Sequence, residues 1–183
     1  MKNPLISIII PLYNTEEFLE PCLRSVLKQT FTDFEIIVAD DKSTDRSKLI
    51  AENILSASHF PYKVIENEKN SGVSTTRNRA MKEANGKYLF FLDSDDMLEP
   101  HCIEYLVQCL TQYDYDFVVS RHIDIDENRR EFASDLPFRC ELYTEKHADL
   151  LRIHGYVCGI LYSKALIEEK NISFNRAYME DVL

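Results

Sequence analysis

The sequence predicts an α/β fold with a mostly parallel central sheet and helices on both faces. Three observations carry this. Residues 5–10, 34–39 and 88–92 are short, almost unbroken apolar runs, the pattern of strands buried on both faces of a parallel sheet. Stretches with apolar residues at helical spacing separate them, as β-α-β crossovers require. Acidic clusters follow two of the runs, Asp40-Asp41 and Asp93-Ser-Asp95-Asp96. Open α/β sheets bind ligands at such carboxyl ends.

Each element has its own warrant. Pro11 ends the first strand. Asn14 with Glu17 has the form of a capping box, predicting a helix to about residue 29 that buries Phe18, Leu19, Cys22, Leu23, Val26 and Leu27. Pro21 kinks that helix or marks its true start. After the strand at 34–39, Ser43 or Thr44 caps a second helix running to about residue 56. A short strand follows at 62–66, and Asn70-Ser-Gly72 makes a turn. A third helix covers about 74–84, and Asn85-Gly86 stops it. The strand at 88–92, a helix at about 101–112 and a strand at 117–120 complete the β-α-β series. Beyond Arg121 the pattern changes. Residues 123–130 read as a polar hairpin with Glu127-Asn128 at its tip, Thr144 opens a short helix, and 157–162 is a further strand. The whole chain, 1–183, reads as one domain: a ligand-binding half to about 120 and an irregular half from 121 onward.

Composition narrows the function. With 45% apolar and 28% charged residues the chain is globular, and 183 residues bury a core without disulfides or a structural metal. Thirty-one acidic against 21 basic residues give a net charge of −10, which argues against a nucleic-acid surface and against charge-driven binding to anionic lipid. The five cysteines are odd in number and form no C-x-x-C pair, as in a reduced cytosolic chain. Cys22, Cys102 and Cys109 fall on apolar helix faces and read as core rather than as a nucleophile. The apolar run at 5–12 is too short to span a bilayer, and no signal-peptide pattern surrounds it. The five histidines show no zinc spacing, and Asp114 with Asp116 precedes a strand and reads as a solvated turn.

The acidic clusters carry the chemistry. Asp93, Asp95 and Asp96 repel one another within four residues, a cost that a cation offsets, and hard carboxylate oxygens suit Mg²⁺ or Mn²⁺. In an extended D-x-D the outer side chains of Asp93 and Asp95 point the same way and address one metal, which shares its shell with substrate phosphates. The plainer alternative is that Asp96 caps the helix near Pro100 and Asp40 solvates a strand end. A phosphate-binding P-loop and G-x-G-x-x-G are both absent, so a nucleotide is held by another route.

Four segments, Ser7-Ile-Ile-Ile-Pro-Leu-Tyr-Asn14, Glu35-Ile-Ile-Val-Ala-Asp-Asp-Lys-Ser-Thr-Asp45, Asn70-Ser-Gly-Val-Ser-Thr-Thr-Arg-Asn78 and Gly86-Lys-Tyr-Leu-Phe-Phe-Leu-Asp-Ser-Asp-Asp96, resemble the successive signatures of the family 2 glycosyltransferases, in order and at the family's separations. A later block, Phe174-Asn-Arg-Ala-Tyr-Met-Glu180-Asp181, resembles the family's Glu-Asp block. The resemblance implies a GT-A type nucleotide-sugar-binding domain. It implies that Pro11 and Tyr13 line the nucleoside pocket, that Asp41 meets the base edge with Asp40 supporting the strand end, and that Gly72, Arg77 and Asn78 lie against nucleotide or sugar. Asp93, with Ser94 beside it, and Asp95 then hold the ribose–diphosphate and the Mn²⁺ or Mg²⁺. Asp181 becomes the general base on the acceptor hydroxyl, with Glu180 beside it.

The implied activity is transfer of a sugar, with inversion, from a UDP-linked donor to a glycan or lipid-linked acceptor. The implied place is the cytoplasm, at the inner face of the membrane with peripheral contact. The residue types agree. A cation stabilises the charge that builds on the leaving phosphate, and a carboxylate opposite takes the acceptor proton. Lys42 and Arg46 stand where the family often has glycine. The family's frequent tryptophan is missing, and Cys158-Gly-Ile-Leu-Tyr162 holds that region. Family members usually continue beyond the Glu-Asp block with helices that close the acceptor side, so a truncated acceptor side is expected. Two other readings stand beside this one. A non-catalytic nucleotide-sugar-binding module would bind without turnover. A nucleotidyltransferase would show a glycine- and basic-rich loop where Pro11-Leu-Tyr-Asn-Thr15 has neither. A glycosidase is disfavoured, since nothing sets a proton-donating acid opposite a nucleophile.

Overall fold

Strand β1 (Ile6–Leu12) is buried at all seven positions, and so is β2 (Phe34–Asp40), as apolar runs covered on both faces should be. The computed structural model describes residues 3–113, 117–120, 124–125, 131–132 and 157–174. Between these strands lies α1 (Leu19–Leu27), and after them come α2 (Ser47–Ser56), β3 (Tyr62–Glu66), α3 (Val73–Glu83), β4 (Tyr88–Phe91) and α4 (Cys102–Tyr113). Then follow β5 (Phe117–Val119), β6 (Asp124–Ile125), β7 (Glu131–Phe132), β8 (Ile160–Ser163) and α5 (Lys164–Glu169). The main sheet has the order β3-β2-β1-β4-β8-β5, while β6 and β7 form an antiparallel pair of their own.

The first four strands pair in parallel. Alternation along them divides the core in two. Ile6, Ile8, Ile10, Phe34, Ile36, Val38 and Phe90 face α1, α2 and α4, burying Leu19, Cys22, Leu23, Val26, Leu55 and Leu106. Ile9, Ile37, Ala39, Leu89 and Phe91 face the other way, toward Ala80 of α3, Tyr162 and Phe174. Helices thus cover both faces, as the apolar runs predicted.

The sheet departs from a simple parallel series at one place. Strand β8 lies between β4 and β5 and runs antiparallel to both. The expected strand at 117–120 keeps the direction of β4 but does not touch it. Residues from far along the chain fill the gap. Gly159, with φ of 74°, turns the chain into β8 while its N–H donates to the Phe91 carbonyl.

Helix α1 starts later than its capping pattern suggested. The Asn14–Glu17 box does not form: Asn14 has φ of 51°, the helix opens at Leu19, and Phe18 at its N-cap position makes no side-chain cap. Pro21 sits in the first turn, where a missing N–H costs nothing, and so marks the start. Phe18 is exposed instead of core. Helix α2 likewise begins at Ser47 rather than after Ser43 or Thr44. Cys22 is buried, whereas Cys102 and Cys109 are half-buried. Helix α5 had no place in the sequence reading; Ser163 caps it through the Leu166 N–H. The Glu127-Asn128 tip and the helix after Thr144 lie outside the described residues. No described helix is long and apolar enough to cross a membrane.

Opposite the ligand end, one polar network ties the sheet together. Ser7 and Glu35 are register partners on β1 and β2, both buried. The Ser7 hydroxyl donates to Glu35 Oε1 at 2.7 Å and accepts the Gly86 N–H at 2.8 Å. Glu35 also accepts the Asn85 backbone N–H at 2.6 Å and its side-chain Nδ2 at 3.0 Å. The turn from α3 into β4 is therefore bolted to the sheet, which fixes where β4 begins.

Candidate active site

A cleft of about 400 Å³ opens at the carboxyl ends of β1, β2 and β4, beside the start of α3. Each wall has a local cause. From β1, Pro11 and Leu12 are buried and Tyr13 emerges 45% exposed. The Asp41 N–H still reaches the Leu12 carbonyl at 2.8 Å, one step beyond the paired strands, so the two ends stay together.

The segment 14–16 and the start of α2 clasp each other. Asn14 N–H donates to Ser43 Oγ at 3.1 Å and Asn14 Oδ1 accepts the Thr44 N–H at 2.8 Å. Thr15 N–H donates to Ser47 Oγ at 2.9 Å, and Glu16 N–H to Asp45 Oδ2 at 3.1 Å. Burial pushes the Asp45 carboxyl up, but the Ser47 hydroxyl and the N–H groups of Ser47 and Glu16 outweigh it and hold the group below its ordinary value. That contribution is present above the ordinary carboxylate range and is lost as pH falls through the lowered value. The side chains expected to cap helices thus serve this clasp.

Asp41, 4% exposed, lines the cleft with its carboxylate already engaged. Oδ1 accepts Asn67 Nδ2 at 2.7 Å and Ser71 N–H at 2.8 Å, and Oδ2 accepts Gly72 N–H at 2.7 Å. Asn67 also donates to Thr76 Oγ1 at 2.8 Å and accepts from Arg79 at 2.8 Å. Gly72 has φ of 85° and ψ of 156°, a backbone region that only glycine adopts without strain. Asp41 therefore moulds the 67–72 loop, whatever else it meets. Asp41→Asn puts an amide N–H₂ against one or more of these donors. It is expected to destabilise the protein by about 1–3 kcal/mol, measured by urea unfolding. Asp40 is buried, and its carboxylate accepts the Ser43 N–H at 3.2 and 3.3 Å, supporting the turn after β2 rather than lining the cleft. Within that turn Lys42 has φ of 67°, which explains the glycine expected there by resemblance.

The Asp93–Asp96 segment is a turn, not extended chain: the Asp96 N–H donates to the Asp93 carbonyl at 3.1 Å. The period-two argument for Asp93 and Asp95 therefore does not apply. Both carboxylates nevertheless line the cleft, with Ser94 between them. Ser94 Oγ accepts from Thr15 Oγ1 at 3.0 Å, and the Cys22 thiol reaches the Asp93 carbonyl at 3.6 Å. Arg77, 4% exposed, donates from Nη2 to Asp93 Oδ1 at 2.7 Å. Asp96 does not cap α4; the Cys102 N–H donates to the Glu99 carbonyl.

Among the described residues no group of three or more His, Cys, Asp or Glu converges on one point. Asp93 and Asp95 at one cleft are still a fitting donor set for a hard cation that takes the rest of its shell from phosphates and water. Nucleophilic thiol chemistry does not fit Cys22 or Cys102. Burial, then the carboxylates of Asp96, Asp95 and Asp93, push the Cys22 thiol far up, and burial with Glu99 pushes Cys102 up to about 11.

Of the residues singled out in the sequence, Pro11, Tyr13, Asp41, Gly72, Arg77, Asp93, Ser94 and Asp95 share the cleft. Asn78 does not line it. Its amide is spent on the backbone of Phe174, at 2.8 and 2.9 Å. Glu180 and Asp181 lie outside the described residues. Asn70, Val73 and Thr76 line the cleft without having been singled out, and Asn67 and Thr15 brace it. For Asn70, Val73 and Thr76 the signal was present, since all three fall inside the third of the four segments.

Residues 7–169 match the family described as Glycosyl transferase family 2. Glycosyltransferase EpsJ of Bacillus subtilis is 35% identical over 179 residues, covering 94% of this chain and 52% of its own. The UDP-Glc:alpha-D-GlcNAc-diphosphoundecaprenol beta-1,3-glucosyltransferase WfgD of Escherichia coli is 34% identical over 128 residues, 70% of this chain and 49% of its own. Residues 1–349 of S. aureus TarS, solved in complex with UDP, superpose with a TM-score of 0.78 at 26% identity, over 96% of this chain and 52% of that one. The chain spans about half the length of the curated relatives it matches.

Proposed function

The chain belongs to glycosyl transferase family 2, and on that premise we propose that it transfers a sugar from a UDP-linked nucleotide-diphosphate donor to a hydroxyl of a glycan or lipid-linked acceptor, with inversion. The observation that carries this reading is one cleft lined at once by Tyr13, Asp41 and the Asp93–Asp95 turn, at the carboxyl ends of adjacent parallel strands. TarS binding UDP and WfgD acting from UDP-Glc on a diphosphoundecaprenol-linked sugar support the choice of donor and acceptor class. A lipid-linked acceptor puts the reaction at the inner, cytoplasmic face of the membrane, with peripheral contact.

In this reading Pro11 and Tyr13 flank the nucleoside, and Asp41, through the loop it moulds, sets the base edge. Gly72 leaves room for the donor beside α3. Asp93 and Asp95 would hold a Mn²⁺ or Mg²⁺ ion, which neutralises charge on the leaving diphosphate. Arg77 adds a fixed positive charge behind Asp93. Asp181, with Glu180 beside it, takes the proton from the acceptor hydroxyl. That oxygen bonds to the anomeric carbon while the bond from this carbon to the phosphate oxygen breaks, leaving the electron pair on UDP. One displacement of this kind inverts the centre.

Two measurements test the reading. UDP with Mn²⁺ should raise the melting temperature by mass action, by the equivalent of about 2.7 kcal/mol at a hundredfold excess over Kd. No rise with UDP, GDP or ADP, with or without Mn²⁺, would overturn it. Asp181→Asn in the full protein should cost about 10²-fold in turnover while UDP affinity stays within a few fold. Near-normal turnover would remove Asp181 from the role and transfer it to Glu180.

A further inference from the structure

We propose that Asn78 is a positioning residue for the Asp93 carboxylate and acts on it through Phe174 and Arg77. The functional consequence rests on the donor-site reading of Asp93; the mechanical link does not.

Asn78 follows Arg77 on α3, so its side chain leaves the helix about 100° away from that of the arginine. It reaches across 96 residues of sequence to Phe174. Its Nδ2 donates to the Phe174 carbonyl at 2.8 Å, and its Oδ1 accepts the Phe174 N–H at 2.9 Å. A side-chain amide that takes both backbone groups of one residue fixes that residue's orientation as well as its depth.

The Phe174 ring then does two things. It stands edge-on to Phe91 at 5.2 Å and 82°, on the strand that ends two residues before Asp93. It also lies 5.6 Å from the Arg77 guanidinium, in cation–π range. Arg77 Nη2 in turn bonds Asp93 Oδ1 at 2.7 Å and lies 3.9 Å from Cys158 Sγ. The guanidinium is therefore held between an aromatic face and a carboxylate that is 40% exposed to the cleft. The cation–π contact restrains the guanidinium, and the single Nη2 bond passes that restraint to the Asp93 carboxylate. Each contact is modest; together they form a continuous path from Asn78, outside the cleft, to a carboxylate inside it.

The test is a double-mutant cycle in two readouts. In urea unfolding without ligand, Asn78→Ala and Asp93→Asn should couple by about fivefold in the unfolding equilibrium constant, although the cleft and the Asn78 amide share no direct contact. Phe174→Leu, which keeps apolar bulk and loses the ring face, should couple to Asp93→Asn in the same way, and it carries the cycle if Asn78→Ala does not fold. Additive effects for the folded variant would overturn the proposal. In calorimetry with UDP and Mn²⁺, Asn78→Ala should weaken binding about tenfold in the wild-type background and not further in an Asp93→Ala background. Equal weakening in both backgrounds would mean a purely structural role and would also overturn it. Wild-type protein that binds UDP equally with Mn²⁺ and with EDTA would sink the donor-site reading of Asp93 instead, and the unfolding cycle would still decide the link.

Discussion

Asp95→Ala is expected to lower turnover by about 10³-fold, at the upper end of what the loss of one group stabilising transition-state charge costs, and to leave the fold intact. The two halves of this expectation have separate causes. Asp95 is exposed, and the turn that carries it is fixed by other groups: the Asp96 N–H on the Asp93 carbonyl, Thr15 on Ser94, and Cys22 behind Asp93. Removing an exposed side chain from such a turn changes stability by no more than about 0.5 kcal/mol. The carboxylate itself faces the cleft beside Asp93, where a donor diphosphate brings further negative charge. In the proposed reading, the cation that would neutralise that charge would then lose one of the two carboxylates proposed to hold it. Calorimetry with UDP in Mn²⁺ and in EDTA isolates the effect: wild type should bind more tightly with Mn²⁺, and the variant should lose that difference. Equal affinity in both conditions, for wild type and variant alike, would remove the metal from the account.

Gly86→Ala should destabilise the protein by about 3 kcal/mol, although the site is far from the cleft. The cause is contact, not backbone freedom. A Cβ at Gly86 would stand 2.4 Å from the Ser7 nitrogen, 2.6 Å from the Ile6 carbonyl carbon and 2.8 Å from Ser7 Oγ. Two of these are backbone atoms of a strand buried on both faces, so neither can move aside. Opening the gap also breaks the Gly86 N–H bond to Ser7 and disturbs the Glu35 network beside it. Urea unfolding should show a lower midpoint at an unchanged slope. A shift below about 0.5 kcal/mol, the size of an ordinary surface substitution, would mean that the α3–β4 turn is less tightly seated than the geometry requires.

The site was legible where a residue type answers to chemistry. Paired carboxylates after apolar strands pointed to Asp41, Asp93 and Asp95, and all three line the cleft. It was misread where the same residue type serves two ends. Asn14 and Ser43 have the chemistry of helix caps, yet they bond each other across 29 residues, because the carboxyl ends of β1 and β2 emerge side by side. Asn78, which by resemblance lies against nucleotide or sugar, bonds the backbone of Phe174. A polar side chain on a helix carries no mark of which neighbour it will meet. The D-x-D spacing put Asp93 and Asp95 in one cleft, which they share, but on an extended geometry that the structure replaces with a turn.

The strand runs, their parallel pairing in the first half, and the two-faced core are properties of the sequence alone. A run such as Ile6–Leu12 can be buried only on both sides, and the helical stretches between runs are long enough to cross over. Local hydrophobic period decides these features, and it is written in adjacent residues. The insertion of β8 between β4 and β5, the Arg77–Asp93 pair and its backing by Phe174 were decided only by the tertiary structure. They join residues 16 to 97 positions apart. What selects such partners is the closing of gaps in a packed sheet and the need to compensate a buried charge. Neither exists until the rest of the fold has formed.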